Sequence, residues 1–257
     1  MRYSSREMMA IIASREIKAD EIVFCGTGLP MLAAMTAKHL HAPDSVIFFE
    51  TGAIDSRLEE IPLTVADPRV IYKASVASGL IDAFNVMQNR FTGPKVLGIL
   101  SAAQIDRYGN LNSTCIGDYH RPKVRMPGSG GACDVASLVG RVMIFMRQER
   151  RRFVEKLDYF TSPGWVGPGD ERMGTGLVGG GPELVVTDLG VLRFHPDTHE
   201  MYLDRYYSNT TPEEVVKKTG FKLEIQTAEE ASPPTDRELK ILREVVDPQR
   251  LILGGED

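Results

Sequence analysis

The order of segments between residues 21 and 50 constrains the fold of this chain most strongly. Residues 21–25 (EIVFC) read as a short buried strand, residues 26–30 (GTGLP) read as a turn, and residues 31–40 have helical spacing. An apolar run at residues 46–49 follows a Pro-Asp break. A strand, a glycine turn, a helix and a second strand in this order are typical of parallel strands joined by a crossover helix. We therefore predict an α/β fold with a mainly parallel sheet flanked by helices.

Size and composition favour one globular domain. The chain has 257 residues, of which 42% are hydrophobic and 25% are charged, an ordinary balance for a chain with a full hydrophobic core. Neither an internal repeat nor a low-complexity tract divides it. We expect a single domain over residues 1–257.

Charge and hydropathy exclude several classes of function. Thirty Lys and Arg against 35 Asp and Glu give a net charge of −5, which argues against nucleic acid as the main partner. No run of about 18 apolar residues is present, so we expect no membrane span. The first 12 residues lack the pattern of a secretion signal.

Cysteine and histidine usage argues against a metal enzyme. The three cysteines, Cys25, Cys115 and Cys133, are widely spaced, which favours free thiols in a reducing cytosol. The five histidines have no spacing typical of metal ligands. We expect no metal site and a cytoplasmic protein.

The rest of the chain repeats the α/β theme. A helix is predicted at 213–219, with Gly220 as its left-handed C-cap and residues 229–234 as a linker to a last helix. Other predicted segments are the following: an N-terminal helix capped by Ser4 or Ser5, a helix at 82–90, a strand at 95–100, turns and loops at 104–118, a strand at 141–146, and a pair of strands at 183–188 and 190–194.

Glu50 is the most informative single residue. It closes the apolar run at residues 46–49, and the carboxyl ends of strands in α/β sheets are where ligands bind. A carboxylate at the end of an apolar strand is partly desolvated, which makes it a better nucleophile. The alternative is an ordinary loop carboxylate that caps a helix or pairs with an arginine.

Gly26, Thr27 and Gly28 lie in a strand-to-helix turn. Backbone N–H groups in such a turn can hold a phosphate or an oxyanion. The alternative is that the glycines only allow close passage of the strand and the helix. The segment is neither a Walker loop nor a full dinucleotide fingerprint.

A second glycine-rich segment, residues 128–132 (GSGGA), follows the three bases Arg121, Lys123 and Arg125. Three glycines in four residues let the backbone approach a ligand, and the bases supply positive charge. A surface loop flanked by solvated bases explains the same residues equally well. We assign no catalytic role to a further basic cluster at Arg147 and residues 150–152.

Four segments together resemble the β-type half of the family I coenzyme A (CoA) transferases: residues 26–30, 50–52 (ETG), 103–106 (AQID) and 128–132. Three later segments extend the resemblance over nearly the whole chain: residues 162–165 (SPGW), 186–191 (VTDLGV) and 218–221 (KTGF). Residues 113–120 (STCIGDYH) are particularly similar to the glutaconate branch of that family.

The resemblance implies a ping-pong mechanism in which Glu50 accepts the acyl group and then CoA. It implies that backbone amides near Thr27 and Gly131 hold the oxyanion. Gly26, Gly28, Ser129, Gly130 and Ala132 are expected to contact the CoA thioester, which is a substrate rather than a permanently bound cofactor.

An α-type partner subunit is implied as well, since that half of the enzyme is missing from this chain. Ser101 and Ala102 replace the Gly-Gly often found before the 103–106 segment, which leaves the acid substrate open among glutaconate, glutarate, succinate and aromatic-pathway acids. Two alternatives remain: an acyl-CoA decarboxylase or CoA-dependent hydrolase on the same scaffold, and a non-catalytic acyl-CoA-binding subunit. The presence of Glu50 favours transfer.

Overall fold

The computed structural model describes residues 2–177 and 180–254, and it divides into two compact units. The first unit extends to Ile99 and resumes at Pro233, whereas the second is Leu100–Ser232. The single domain expected over residues 1–257 stays a prediction. In the described ranges no helix is long and apolar enough to cross a membrane, and no group of three or more His, Cys, Asp or Glu side chains could hold a metal ion.

The helices of the first unit are α1 (Ser5–Arg15), α2 (Leu29–Leu40), α3 (Leu80–Gln88) and α7 (Asp236–Ile241), the last continued by a π-helical turn at Leu242–Val246. As predicted, Ser4 caps α1: its hydroxyl accepts the Glu7 N–H, and the Glu7 carboxylate accepts the Ser4 N–H. Helix α1 packs against α2 and α7.

Two bidentate ion pairs fasten α1 to the C-terminal segment of this unit. Arg15 donates Nε and Nη2 to the two carboxylate oxygens of Glu238 at 2.7 and 2.8 Å. Arg243 donates in the same way to Glu7 at 2.6 and 2.9 Å. Such fork-to-fork pairs combine charge with fixed geometry, so they hold the helices in one orientation.

The strands of the first unit are β1 (Ile22–Phe24), β2 (Val46–Phe48), β3 (Ala53–Ile54), β4 (Val76–Ala77) and the first part of β5 (Val96–Ser101). Their order is β5-β1-β2-β3-β4, in which β1 pairs in parallel with both β2 and β5. The pairs β2–β3 and β3–β4 are antiparallel. Helix α2 joins β1 to β2, so the predicted strand, turn, helix and strand order is confirmed.

The second unit contains the helices α4 (Ala132–Leu138), α5 (Glu171–Gly174) and α6 (Pro212–Lys217). Its strands are β6 (Gln104–Ile105), β7 (Leu111–Asn112), β8 (Cys115–Ile116), β9 (Val124–Arg125), β10 (Arg141–Met146), β11 (Pro182–Thr187), β12 (Gly190–Phe194), β13 (Met201–Tyr206) and β14 (Glu229–Glu230). The main sheet of this unit has the order β14-β13-β12-β11-β10. The parallel β10–β11 pair and the β11–β12 hairpin agree with the predicted strands.

Three expectations for the second unit were wrong. Residues 104–118 include two short hairpins, β6–β7 and β8–β9, rather than loops alone. The expected linker at 229–234 begins with β14, which pairs with β13. Gly220 is not a left-handed cap: helix α6 ends earlier, at the cap residue Lys218, and a Cβ at Gly220 would lie 2.3 Å from the Phe153 carbonyl oxygen. Close backbone approach explains this glycine.

Candidate active site

Glu50 lies in a tight turn directly after β2. The Phe49 N–H donates to the Ala53 carbonyl and the Gly52 N–H donates to the Phe49 carbonyl, both at 3.0 Å, so residues 49–53 form the connection between β2 and β3. Phe48 and Phe49 are fully buried, whereas Glu50 is half-buried. The apolar strand therefore ends where the carboxylate reaches the surface, as predicted from the sequence.

The turn that bears Glu50 depends on Gly52. Its φ is +98°, a conformation that side chains other than glycine rarely adopt, and a Cβ there would lie 2.1 Å from the Ser78 carbonyl oxygen. Ser78 donates its N–H and its hydroxyl to the Gly52 carbonyl at 2.9 and 3.1 Å. The segment after β4 thus holds the backbone of the turn. Sequence reasoning did not identify Ser78, because nothing local relates it to a residue 26 positions earlier.

The Glu50 side chain makes no hydrogen bond or ion pair with any residue of the described ranges. Glu50 therefore neither caps a helix nor pairs with an arginine in the described ranges, the two structural roles that the sequence left open. The lone pairs of its two oxygens are therefore available to a substrate.

The Gly26-Thr27-Gly28 turn lies at the same edge of the first unit's sheet as Glu50. Phe24 of β1 is opposite Phe48 of β2, and the Cys25 N–H continues the ladder by donating to the Phe48 carbonyl at 3.4 Å. Gly26 lies two residues after Phe24, and Glu50 lies two residues after Phe48. Because neighbouring strands are about 4.8 Å apart, the turn and the carboxylate leave the sheet side by side.

The glycine turn is open toward solvent. A Cβ on Gly26 or Gly28 would meet no heavy atom within 4 Å, and Gly28 has a φ of +87°. Gly28 is the N-cap of α2 and supplies no side-chain acceptor to the first-turn amides of that helix. Backbone donors are therefore exposed at the edge where the Glu50 carboxylate emerges.

A thiol competitor for the nucleophile role is excluded by burial. Cys25 directly precedes the turn, but complete burial raises the pKa of its thiol to about 12. At neutral pH it is a thiol rather than a thiolate, and only the thiolate is a strong nucleophile.

The Gly128–Ala132 segment lies in the second unit, where it connects β9 to α4. Gly128 and Gly130 have φ values of +96° and +48°, and Gly131 is the N-cap of α4. Ser129 and Gly130 are exposed. The loop is therefore a glycine-dependent, open segment, as the sequence indicated, and its proximity to Glu50 stays a prediction.

The three bases before this loop are exposed on the β8–β9 hairpin. Arg125 lies over the Tyr119 ring at 4.8 Å and donates to the Tyr119 carbonyl, which gives it a role in holding the hairpin. In the other basic cluster, Arg151 and Arg152 pair with Glu149. These contacts agree with a surface role for that cluster.

The 103–106 segment takes part in an internal hydrogen-bond network. The Asp106 carboxylate accepts hydrogen bonds from the Tyr108 N–H and from the backbone and side chain of Asn110. Burial raises the pKa of Asp106 even though these bonds oppose it. The Asn110 side-chain oxygen in turn accepts the N–H groups of Gly164 and Val166. Two of the recognised motifs thus meet in one internal polar network.

Comparison with known proteins agrees with this fold. The family model described as "Coenzyme A transferase" matches residues 6–218. The B subunit of the glutaconate CoA-transferase of Acidaminococcus fermentans is 42% identical over 251 residues, 96% of this chain and 93% of that protein. The B subunit of the 3-oxoadipate CoA-transferase of Pseudomonas knackmussii is 36% identical over 94% of this chain and 92% of that protein.

The solved structures agree as well. The crystal structure of glutaconate coenzyme A-transferase from Acidaminococcus fermentans superposes with a TM-score of 0.94 and 38% identity, and the match covers 99% of both chains. The fold is thus that of a CoA transferase, and the expected α/β class is confirmed. The chain belongs to the coenzyme A transferase family, and it is similar to the B subunits of the glutaconate and 3-oxoadipate enzymes.

Proposed function

We propose that this chain is the nucleophile-bearing β-type half of a heteromeric CoA transferase that moves CoA between an acyl-CoA and a dicarboxylic acid, with Glu50 as the covalent carrier. The observation on which the proposal depends is the Glu50 carboxylate, which has no partner in the described ranges and stands beside the open Gly26–Gly28 turn. Membership of the family and the names of the similar B subunits support the reaction class.

In the first half-reaction the Glu50 carboxylate attacks the thioester carbonyl of the acyl-CoA and expels CoA thiolate, which leaves an acyl-glutamyl anhydride. The thiolate then attacks the Glu50 carbonyl of this anhydride, forming a glutamyl-CoA thioester and releasing the first acid. The acceptor carboxylate reverses these two steps. A carboxylate suits this exchange because the glutamyl-CoA thioester is close in free energy to the acyl-CoA, and the more reactive anhydride is readily attacked by the thiolate.

Each attack produces a tetrahedral oxyanion that requires hydrogen-bond donors. We assign this role to the backbone amides near Thr27 and Gly131, and removal of one such donor typically raises the barrier by about 3 kcal/mol. Gly26, Gly28, Ser129, Gly130 and Ala132 are assigned to CoA contacts. No other cofactor is required, because the thioester itself supplies the reactive bond.

The dicarboxylic acid class is supported by the similar proteins, since glutaconate and 3-oxoadipate are both dicarboxylates. Their designation as B subunits supports an α-type partner. Cys25, Cys115 and Cys133 are unpaired, which supports a reducing cytoplasmic location, and neither a nucleic acid nor a membrane is a proposed partner.

The test is to trap the covalent intermediate. This chain is co-expressed with the α-type partner, and the complex is incubated with glutaconyl-CoA or 3-oxoadipyl-CoA without acceptor. Intact mass spectrometry is expected to show one CoA adduct on this chain, and borohydride reduction before digestion maps it to Glu50. The Glu50→Gln complex is the control, for which no adduct and a loss of activity of at least about 10³-fold are expected, because the amide is no nucleophile.

The same experiment separates the alternatives. A decarboxylated CoA product or a free acid without an adduct would assign the chain to the decarboxylase or hydrolase class. Full activity of the Glu50→Gln complex would remove Glu50 from the mechanism.

A further inference from the structure

Residues 113–120 were singled out by their sequence, yet the proposed mechanism gives them no role. In the structure Ser113 lies between β7 and β8 and contacts the glycine-rich Gly128–Ala132 segment. We propose that Ser113 is a positioning residue of the transfer reaction, which fixes the entry of this loop so that its amides are ordered before substrate binds. The inference rests on the function proposed above and adds a residue to it.

The contact is reciprocal. The Ser113 hydroxyl donates to the Gly128 carbonyl at 2.8 Å, and the Gly128 N–H donates to the Ser113 carbonyl at 3.0 Å. Both polar backbone groups of Gly128 are therefore held by one residue. The Met126 N–H donates to the Thr114 carbonyl at 2.9 Å, so the β8–β9 ribbon continues up to this point and stops there.

Beyond Gly128 the loop has little to hold it. A Cβ on Gly128 or Gly130 would meet nothing within 4 Å, and Ser129 and Gly130 are exposed. One internal bond follows, from the Ala132 N–H to the Ser129 carbonyl at 2.9 Å. Glycine has more backbone freedom to lose than any other residue, so the order of such a loop depends on the anchors at its two ends.

Ser113 is itself held by hydrogen bonds to half-buried neighbours. Its N–H donates to the Thr161 hydroxyl at 3.0 Å, and that hydroxyl shares a 2.8 Å hydrogen bond with the hydroxyl of Thr114. The Thr161 N–H donates to the carbonyl of Leu111, which is buried in β7. Ser113 thus connects hydrogen-bonded residues next to β7 to a loop in which only one internal hydrogen bond follows Gly128.

Ser137 provides a matched control. Its hydroxyl donates to the Cys133 carbonyl at 2.7 Å within α4, the same kind of bond at a similarly half-buried position, but it has no bond to the loop. A serine with a purely structural role would behave like Ser137 when replaced by alanine.

The experiment compares the complexes of the unmodified chain, Ser113→Ala, Ser113→Thr and Ser137→Ala with the same α-type partner. The rate of glutamyl-CoA formation from glutaconyl-CoA in a single turnover is measured, together with hydrogen exchange of the peptide that spans residues 126–132. For Ser113→Ala we expect a roughly five- to tenfold slower rate, which corresponds to one lost hydrogen bond, and faster exchange of that peptide. Ser113→Thr keeps the hydroxyl and is expected to restore most of the rate, whereas Ser137→Ala changes neither quantity.

Thermal midpoints of all four complexes are measured in parallel. The Ser113→Ala complex is expected to have the same thermal midpoint as the Ser137→Ala complex. An unchanged rate in Ser113→Ala, or an equal loss in Ser137→Ala, would overturn the inference and leave the proposed function intact. A complex of the unmodified chain that never forms the adduct would instead remove the proposed function, and the role of Ser113 with it.

Discussion

At the scale of single residues, the proposed nucleophile is a carboxylate that makes no contact on which the fold depends. Glu50 has no hydrogen bond or ion pair within residues 2–177 and 180–254, and the backbone beneath it is held by Gly52 and Ser78. The two residues have separate tasks: Gly52 sets the shape of the turn, and Glu50 is the proposed nucleophile. This separation leads to a prediction for the glycines around the site.

Three glycine-to-alanine variants separate backbone strain from steric contact. Gly26→Ala has room for its Cβ and an ordinary φ, Gly28→Ala has room but a φ of +87°, and Gly52→Ala has both a φ of +98° and a 2.1 Å contact with a carbonyl oxygen. We expect the free energy of unfolding to stay nearly unchanged in Gly26→Ala and to fall by about 1–2 kcal/mol in Gly28→Ala. In Gly52→Ala we expect it to fall by more than about 2 kcal/mol. Urea unfolding followed by circular dichroism measures them. A Gly52→Ala chain as stable as Gly26→Ala would show that the turn does not need this glycine.

At the scale of elements, the sequence predicted the strands that are marked by a local run of apolar residues. The strands predicted at residues 21–25 and 46–49 are confirmed as β1 and β2, because the apolar residues 22–25 and 46–49 suit strands buried on both faces. The short hairpins β6–β7 and β8–β9 were missed, since side chains from distant positions support them. Gln104, for example, bonds Asn112 and Asp158.

In the candidate site, too, features marked by local sequence were predictable and contacts between distant positions were not. Glu50 and the Gly26–Gly28 turn were predictable because each adjoins an apolar strand whose end can be read from the sequence. The contact of Ser78 was not predictable, and Ser113 was noted only as part of residues 113–120, because their partners lie 26 and 15 positions away and no periodicity links them. Strand β14 was not predictable either. It consists of two exposed glutamates that pair with β13, and glutamate has a low propensity for strands.

The element scale also predicts a pH dependence. Burial acts to raise the pKa of Glu238, but hydrogen bonds from Arg15 and Thr235 outweigh it and hold the pKa at about 2, below the usual 4.5. A carboxyl with a lowered pKa in the folded state stabilises the fold fully above its unfolded value, and this stabilisation is lost as the pH falls from about 4.5 toward 2. After allowance for solvent screening we expect a contribution of roughly 1–2 kcal/mol at pH 7.

Glu238→Gln tests this contribution. Urea unfolding at pH 7 is expected to show the loss, and the difference from the unmodified chain is expected to shrink at pH 3. Glu244→Gln is the control, since Glu244 is exposed and makes a single 4.0 Å contact with Lys240 in the same C-terminal segment. A difference for Glu238→Gln that is as large at pH 3 as at pH 7 would mean that the ion pair with Arg15 is not its source.

At the scale of the whole molecule, we propose that this chain works together with an α-type partner. The chain carries the proposed nucleophile, and the similar proteins are designated B subunits. We expect the purified chain alone to show no CoA transfer and co-expression with the α-type partner to produce it. Size-exclusion chromatography coupled to a transferase assay measures both properties. Activity in fractions that contain this chain alone would contradict the prediction of a required partner.

The unpartnered Glu50 side chain has a consequence for the history of this scaffold. Because the turn is shaped by Gly52 and Ser78, a substitution at position 50 removes no bond that the described residues make with that side chain. A lineage can therefore exchange the carboxylate for another group in one mutational step without first accumulating stabilising changes elsewhere. The proposed nucleophile therefore stands at a position that can change while the architecture around it is inherited intact.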